Sequence, residues 1–177
     1  GIKKDMKAEP VERLPSSGTK MLFVGRLESL KGIEEFLDAF YECADAIPDL
    51  HAIIAGHGSL KEKLEQHAID KGYGSRVHFL GSLKSNQLKY IRQNSDFYVS
   101  LNKQANLSNV TLEALSDHLP TIVPCSREKY GIDIDTDNMI PKDVFYRFGN
   151  IGDTQALIKA IKFMCVAKNR EQYKQNA

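Results

Sequence analysis

With 177 residues, 42% hydrophobic and 27% charged, the chain is long enough for one domain with a full core and has ordinary globular composition, not that of a disordered chain. Its formal charge of +1 lacks the electrostatic footprint of a nucleic-acid binder, and no apolar run approaches a membrane span or opens the sequence as a signal peptide. Cys43, Cys125 and Cys165 are far apart and odd in number, which fits reduced thiols in a cytoplasmic compartment and not a disulfide scaffold.

Residues 1–19 are polar and mixed in charge, and Pro10, Pro15 and Gly18 break any long element. They predict an entry strap leading into a domain at residues 20–177. Lys20–Val24 predicts the first strand, which Gly25 ends, and residues 26–32 form a loop. Ile33, Phe36, Leu37, Phe40, Ala44 and Ile47 recur at helical spacing as one apolar stripe that ends at Pro48. Leu50–Ala55 is nearly all apolar, as a strand covered on both faces should be. Gly56-His57-Gly58 turns the chain, and Ser59 with Glu62 predicts a capping box for a helix through about Lys71.

Arg76–Leu80 then predicts a third strand, Lys84–Asn94 a third helix and Phe97–Leu101 a fourth strand. Within residues 106–120 a polar loop runs into a compact helix. Ser108 or Asn109 serves as its N-cap, and Leu112 with Leu115–Ser116 marks its inward face. Thr121–Val123 is the next strand. Residues 124–148 read as loop with one short strand near Val144–Tyr146, and Asp153 caps a final helix whose inward stripe is Leu157, Ala160, Ile161 and Met164. Such strand–helix alternation with short turns implies right-handed crossovers and a parallel, doubly wound, Rossmann-like α/β sheet.

Ligands of such a sheet bind beyond the carboxyl ends of its strands. The polar loops Gly25–Gly32, Gly56–Ser59, Gly81–Lys84 and Leu101–Asn109 all fall at that edge. Arg26 and Lys31 are the candidate diphosphate cations there, Arg by a forked contact and Lys as a mobile charge. Gly25 and Gly32 flank them and favour that reading over solvated loop charges, because close backbone approach to a ligand needs residues without a Cβ. The loop and helix start at Ser108–Val110 form a second candidate anion site. Glu113 admits two readings, as a helix-dipole partner or as an acceptor for ligand hydroxyls.

Gly56-His57-Gly58 has neither the third glycine of the dinucleotide fingerprint nor the Lys-Ser/Thr of a P-loop, and His57 reads as a turn residue. His51, His57, His67, His78 and His118 show no metal-ligand spacing. Lys159, Lys162, Lys168 and Lys174 predict a solvated helix face, with peripheral membrane contact as the alternative.

Phe23–Gly32, Ile54-Ala-Gly-His-Gly58, Val77-His-Phe-Leu-Gly81 and Leu112-Glu-Ala-Leu115 with Pro120 resemble, in order and over nearly the whole chain, retaining glycosyltransferases of family 4. The resemblance is to the C-terminal, donor-binding domain of their two-domain GT-B fold. It implies that Arg26 and Lys31 hold the diphosphate of a nucleotide-sugar and stabilise the leaving group. Glu113 would accept from the nucleotide ribose, the backbone around Leu83 would lie against the base, and the backbone of Ser108, Asn109 and Val110 would touch the distal phosphate and the sugar. The donor would be a UDP-sugar, with GDP- and ADP-sugars as alternatives, bound without a metal and without any other cofactor.

The family's first acid falls eight residues before Glu113, on Ala105. The contact to the sugar hydroxyls is then absent or moves to Asn106 or the 107–109 backbone. The family's glycine after the helix falls on His118, which would have to take up a left-handed conformation. An acceptor-binding half is expected to precede Gly1, so the sequence reads as a piece of a longer chain that binds donor without transferring. A stand-alone nucleotide or phosphosugar binding module and a GT-B-fold nucleotide-sugar epimerase are the competing readings, separable by product analysis.

Overall fold

The computed structural model of the protein describes residues 6–103, 107–125, 139–141 and 143–176. Six parallel strands form one sheet: β1 (Thr19–Val24), β2 (Leu50–Ala55), β3 (Val77–Gly81), β4 (Phe97–Val99), β5 (Thr121–Pro124) and β6 (Tyr146–Phe148). Their order is β3-β2-β1-β4-β5-β6. The chain therefore winds outward from β1 in one direction, returns, and continues on the other side of it. The reversal between β1 and β4 is the topological switch point, where two neighbouring loops diverge and leave a crevice.

Helices α1 (Ile33–Ala44), α2 (Lys61–Asp70), α3 (Ser85–Gln93), α4 (Asn109–Ser116), α5 (Thr154–Cys165) and α6 (Ala167–Asn176) cover the sheet. Both faces are packed, as the alternation along β1 shows. Met21 and Phe23 join a core with Phe36, Phe40, Ile158 and Ile161 from α1 and α5. Leu22 points the other way, into a cluster with Ile53, Leu80, Ile91 and Ala114. The stripe of α1 falls as its spacing predicts, with Ile33, Phe36, Leu37, Phe40 and Ala44 buried. The Ile, Leu and Phe side chains among them contribute about 1.5–3 kcal/mol each when fully buried.

Three local expectations are corrected. The Ser59–Glu62 capping box is not made: α2 starts at Lys61 behind Leu60, with no side-chain cap. Backbone bonds from Leu60 N–H to Leu27 C=O (3.2 Å) and from Lys61 N–H to Gly58 C=O (3.2 Å) fix that start instead. On α4 the buried positions are Thr111 and Ala114, while Leu112 is 37% exposed. Thr111 and Ala114, three residues apart, define the packed face, and at 3.6 residues per turn Leu112 falls outside it. Finally, the last strand is Tyr146–Phe148 and not Val144–Tyr146; Val144 and Phe145 are buried in the turn before it.

The segment before β1 packs beside α3, and its Arg13 side chain reaches the edge strand β3. Arg13 Nη2 donates to Leu80 C=O at 2.6 Å, Glu9 accepts from the side chains of Asn86 and Gln87, and Lys89 Nζ donates to Met6 C=O. The Arg13 guanidinium takes up carbonyls at the end of that edge strand. At the other end, α6 has no apolar stripe; Tyr173 packs against the core, Asn169 and Asn176 bond Phe163 and Asp143, and Arg170 is the buried anchor. The buried Arg170 donates to the Met164 and Cys165 carbonyls that end α5 and pairs with Asp96 at 3.0 Å. Among the described residues no helix is long and apolar enough to cross a membrane.

Candidate functional site

Two clefts open at the carboxyl ends of the strands and share Val24, Gly25 and Arg26 as the ridge between them. The larger, about 300 Å³, lies over the switch point and is lined by Lys31, Tyr98, Ser100, Ser108 and Val110 among others. The smaller, about 250 Å³, lies towards β2 and β3 and is lined by His57, Ser82, Leu83 and Leu88. Six of the residues singled out in the sequence thus meet: Gly25 and Arg26 on the ridge, Lys31, Ser108 and Val110 in one cleft, and Leu83 in the other. Asn109 and Glu113 line neither. Ala105 and Asn106 lie outside the described residues.

Close loop packing builds this edge. Gly32 has φ of 78°, and a Cβ there would collide with Leu101 Cβ, so the β1–α1 loop rests on the β4–α4 loop. Gly56 has φ of 149°, and its Cβ would collide with the Gly25 carbonyl oxygen, so the β2–α2 turn presses on the ridge. Gly25 itself has ordinary space for a Cβ, 3.6 Å from the Phe23 ring. Gly32 and Gly56 bring loops together, whereas no protein atom crowds a Cβ at Gly25.

Arg26 Nη2 lies 2.7 Å from Glu28 Oε1, with side chains 67% and 37% exposed. An exposed pair of this kind is worth about 0–1 kcal/mol, so a phosphate can displace it cheaply. Lys31 ends a single 3₁₀ turn, Ser29–Lys31, that Gly32 closes. Opposite them, Ser108 caps α4: its Oγ accepts from Thr111 N–H at 3.2 Å and lies 3.0 Å from Thr111 Oγ1. The donors at the start of this helix, with its dipole, favour an anion in the larger cleft.

Beneath that cap is a hydroxyl cluster that the sequence did not reveal. Tyr98 is buried in β4, and the Ser100, Thr111 and Ser108 hydroxyls lie near enough to its phenol to lower its pKa. Burial raises that pKa, an effect those hydroxyls oppose. Its only sequence signal was a tyrosine inside an otherwise apolar strand.

His57 is more than a turn residue, because its Nδ1 lies 2.8 Å from Ser82 Oγ and ties the β2–α2 turn to the β3–α3 loop. Glu113 sits one turn beyond Val110, on the same side of α4. Its Oε2 accepts from Arg92 Nη1 at 2.7 Å, and Arg92 Nε donates to Asp117 Oδ2 at 2.7 Å. His118 ends the helix at φ of 53°.

Other titratable groups stand apart from the clefts. His51 Nδ1 and His78 Nε2 are 3.1 Å apart near the amino ends of β2 and β3, and burial holds both imidazoles below their ordinary pKa. Burial pushes the Cys43 thiol up to about 11 and that of Cys165 to about 12, which makes neither a nucleophile. Among the described residues no group of three or more His, Cys, Asp or Glu side chains could hold a metal ion.

Comparison with known proteins supplies a family. The family model described as "Glycosyl transferases group 1" matches residues 5–127. An uncharacterized glycosyltransferase of Methanocaldococcus jannaschii is 31% identical over 103 residues, covering 58% of this chain. The chain spans only 26% of that relative's length. The C-terminal domain of a glycosyl transferase group 1 family protein from Francisella tularensis has the same fold, with a TM-score of 0.75 at 19% identity over 97% of this chain and 91% of that one. So does Anabaena HepE, solved with UDP and glucose, with a TM-score of 0.72 at 17% identity over 90% of this chain and 42% of that one.

Proposed function

The chain belongs to the group 1 glycosyl transferases, and on that premise we propose that residues 20–177 are the donor-binding half of a retaining, family 4 enzyme of hexosyltransferase type. The enzyme takes a sugar from a nucleoside-diphosphate sugar and passes it to an acceptor such as a polysaccharide or glycolipid. Residues 1–19 are the strap from an acceptor-binding domain, and transfer needs that domain.

One observation carries this reading: Arg26 and Lys31 line the same cleft as the Ser108-capped start of α4. Two cations and a helix N-terminus facing one space match a diphosphate in charge. When the bond between the sugar's anomeric carbon and the β-phosphate oxygen breaks, its electron pair stays on that oxygen. Arg26 and Lys31 stabilise the charge that develops there, and they do so without a metal. The smaller cleft, with Leu83 at its wall, receives the base. The diphosphate crosses the Gly25–Arg26 ridge, and the backbone of Ser108, Asn109 and Val110 meets the distal phosphate and the sugar. Glu113 accepts from the ribose hydroxyls.

The UDP bound to Anabaena HepE makes UDP the first nucleotide to test, ahead of GDP and ADP. Calorimetric titration of the three tests the reading. Binding of one of them, weakened by loss of Arg26, is the expected result.

A further inference from the structure

Arg92 is 4% exposed, and a guanidinium that deep in a fold needs full pairing. It has two acidic partners on α4, four residues apart: Asp117 at its Nε and Glu113 at its Nη1, both at 2.7 Å. The two acids differ in setting, with the Asp117 side chain 10% exposed and that of Glu113 33%. One buried carboxylate suffices to balance one guanidinium, and Asp117 supplies it. Glu113 is then a second acid, gripped at one oxygen and still open to solvent one turn beyond the cleft residue Val110.

We propose that Arg92 is a positioning residue that orients the Glu113 carboxylate as the ribose acceptor. This rests on the reading of Glu113 given above. The planar guanidinium fork fixes two carboxylates at once, which a lysine ammonium, a mobile point charge, does not do in one geometry. Arg92 also lies on α3, the helix that follows the Leu83 loop. The orientation of Glu113 is thereby tied to the wall of the smaller cleft, so base and ribose contacts are set by one rigid connection.

The test is a calorimetric titration of UDP and 2′-deoxy-UDP into the wild-type chain and into R92K, R92M, E113Q and D117N, with melting temperatures recorded in parallel. The wild type is expected to prefer the ribonucleotide by about tenfold, the loss that one charge-assisted hydrogen bond implies. E113Q abolishes the preference. R92K keeps the buried charge, folds, and lowers the preference several-fold; R92M does the same where it folds. D117N melts earlier but keeps the preference. A wild-type preference that survives in R92K while E113Q loses it would make Arg92 purely structural and overturn the inference, leaving the role of Glu113 intact. Equal binding of the two nucleotides by the wild type would instead refute the ribose reading of Glu113, and with it this inference.

Discussion

Glu113 Oε2 accepts a hydrogen bond from Arg92 Nη1 at 2.7 Å, so the acid of α4 is held by α3 and does not act as a cap on its own helix. Glu113 is the fifth residue of α4, and the first turn of that helix contains no acid. The dipole effect fades beyond the first turn. Of the two roles open to Glu113 in the sequence, the dipole reading is therefore the weaker, and a structural role through Arg92 takes its place as the competitor to ligand binding.

Replacing Glu113 with Gln separates these. The change keeps shape but removes charge, and Asp117 still balances Arg92, so stability should fall by only about 1 kcal/mol. Nucleoside-diphosphate affinity should fall by about 1–3 kcal/mol if the carboxylate accepts from the ribose. Denaturant melts beside calorimetry give both numbers. Lost stability with unchanged affinity would leave Glu113 as a partner of Arg92 and nothing more.

Donor binding should be indifferent to divalent ions, because Arg26 and Lys31 supply the positive charge that a metal otherwise brings to a diphosphate. Titrations in excess chelator and in added magnesium or manganese should give the same affinity. Abolition of binding by chelator would contradict this.

The His51–His78 pair predicts a pH response confined to stability. Both imidazoles have folded pKa values below the ordinary 6.5, chiefly through burial, with Arg76 and Lys20 adding to the effect at His51 and His51 itself at His78. The unfolded chain therefore binds more protons as pH drops below about 6.5, and stability, full above that value, is lost as pH falls towards the folded pKa. His78→Gln keeps a hydrogen-bonding group but cannot protonate, and should flatten the melting temperature between about pH 6.5 and 5. A slope as steep in the variant as in the wild type would dismiss the pair as its source.

Gly56→Ala should damage stability and binding together. A methyl there meets the Gly25 carbonyl oxygen at a φ that L-residues rarely adopt, so the ridge must move. Overpacking of this kind costs about 1–3 kcal/mol. The shifted Arg26 backbone should also weaken nucleotide binding. Gly72→Ala is a fitting control, since its φ of 82° is also left-handed but its Cβ would meet nothing within 4 Å. It should lower stability and spare affinity.

Much of the fold was legible because single segments carry it: the apolar stripe of α1, the continuous run of β2, and Asp153, whose Oδ1 accepts from Ala156 N–H. The left-handed residue at the end of α4 was legible too, since the resemblance implied that conformation for His118. What stayed hidden depends on partners distant in sequence. Arg92 looks like any polar helix residue until α4 supplies Glu113 and Asp117. Helix α6 has no apolar stripe to announce it, and it docks through Arg170, Tyr173 and its asparagines. Thr111 is fully buried although polar, because the Ser108 hydroxyl, itself far from obvious as its partner, meets it there. The clefts were foreseen as an edge of the sheet, but their walls are contacts between loops, and periodicity says nothing about those.

The central claim is that the crevice between β1 and β4 holds a nucleoside diphosphate on Arg26 and Lys31. Calorimetric titration of UDP, GDP and ADP into the wild-type chain and into Arg26→Ala tests it most directly. The Arg26–Glu28 pair is exposed, so the variant should melt as the wild type does. At least one nucleotide should bind the wild type, and the variant should bind it more weakly by about 1.5–3 kcal/mol, the scale of a charge-assisted hydrogen bond. Equal affinity in the two proteins, or no binding of any of the three, would contradict the account.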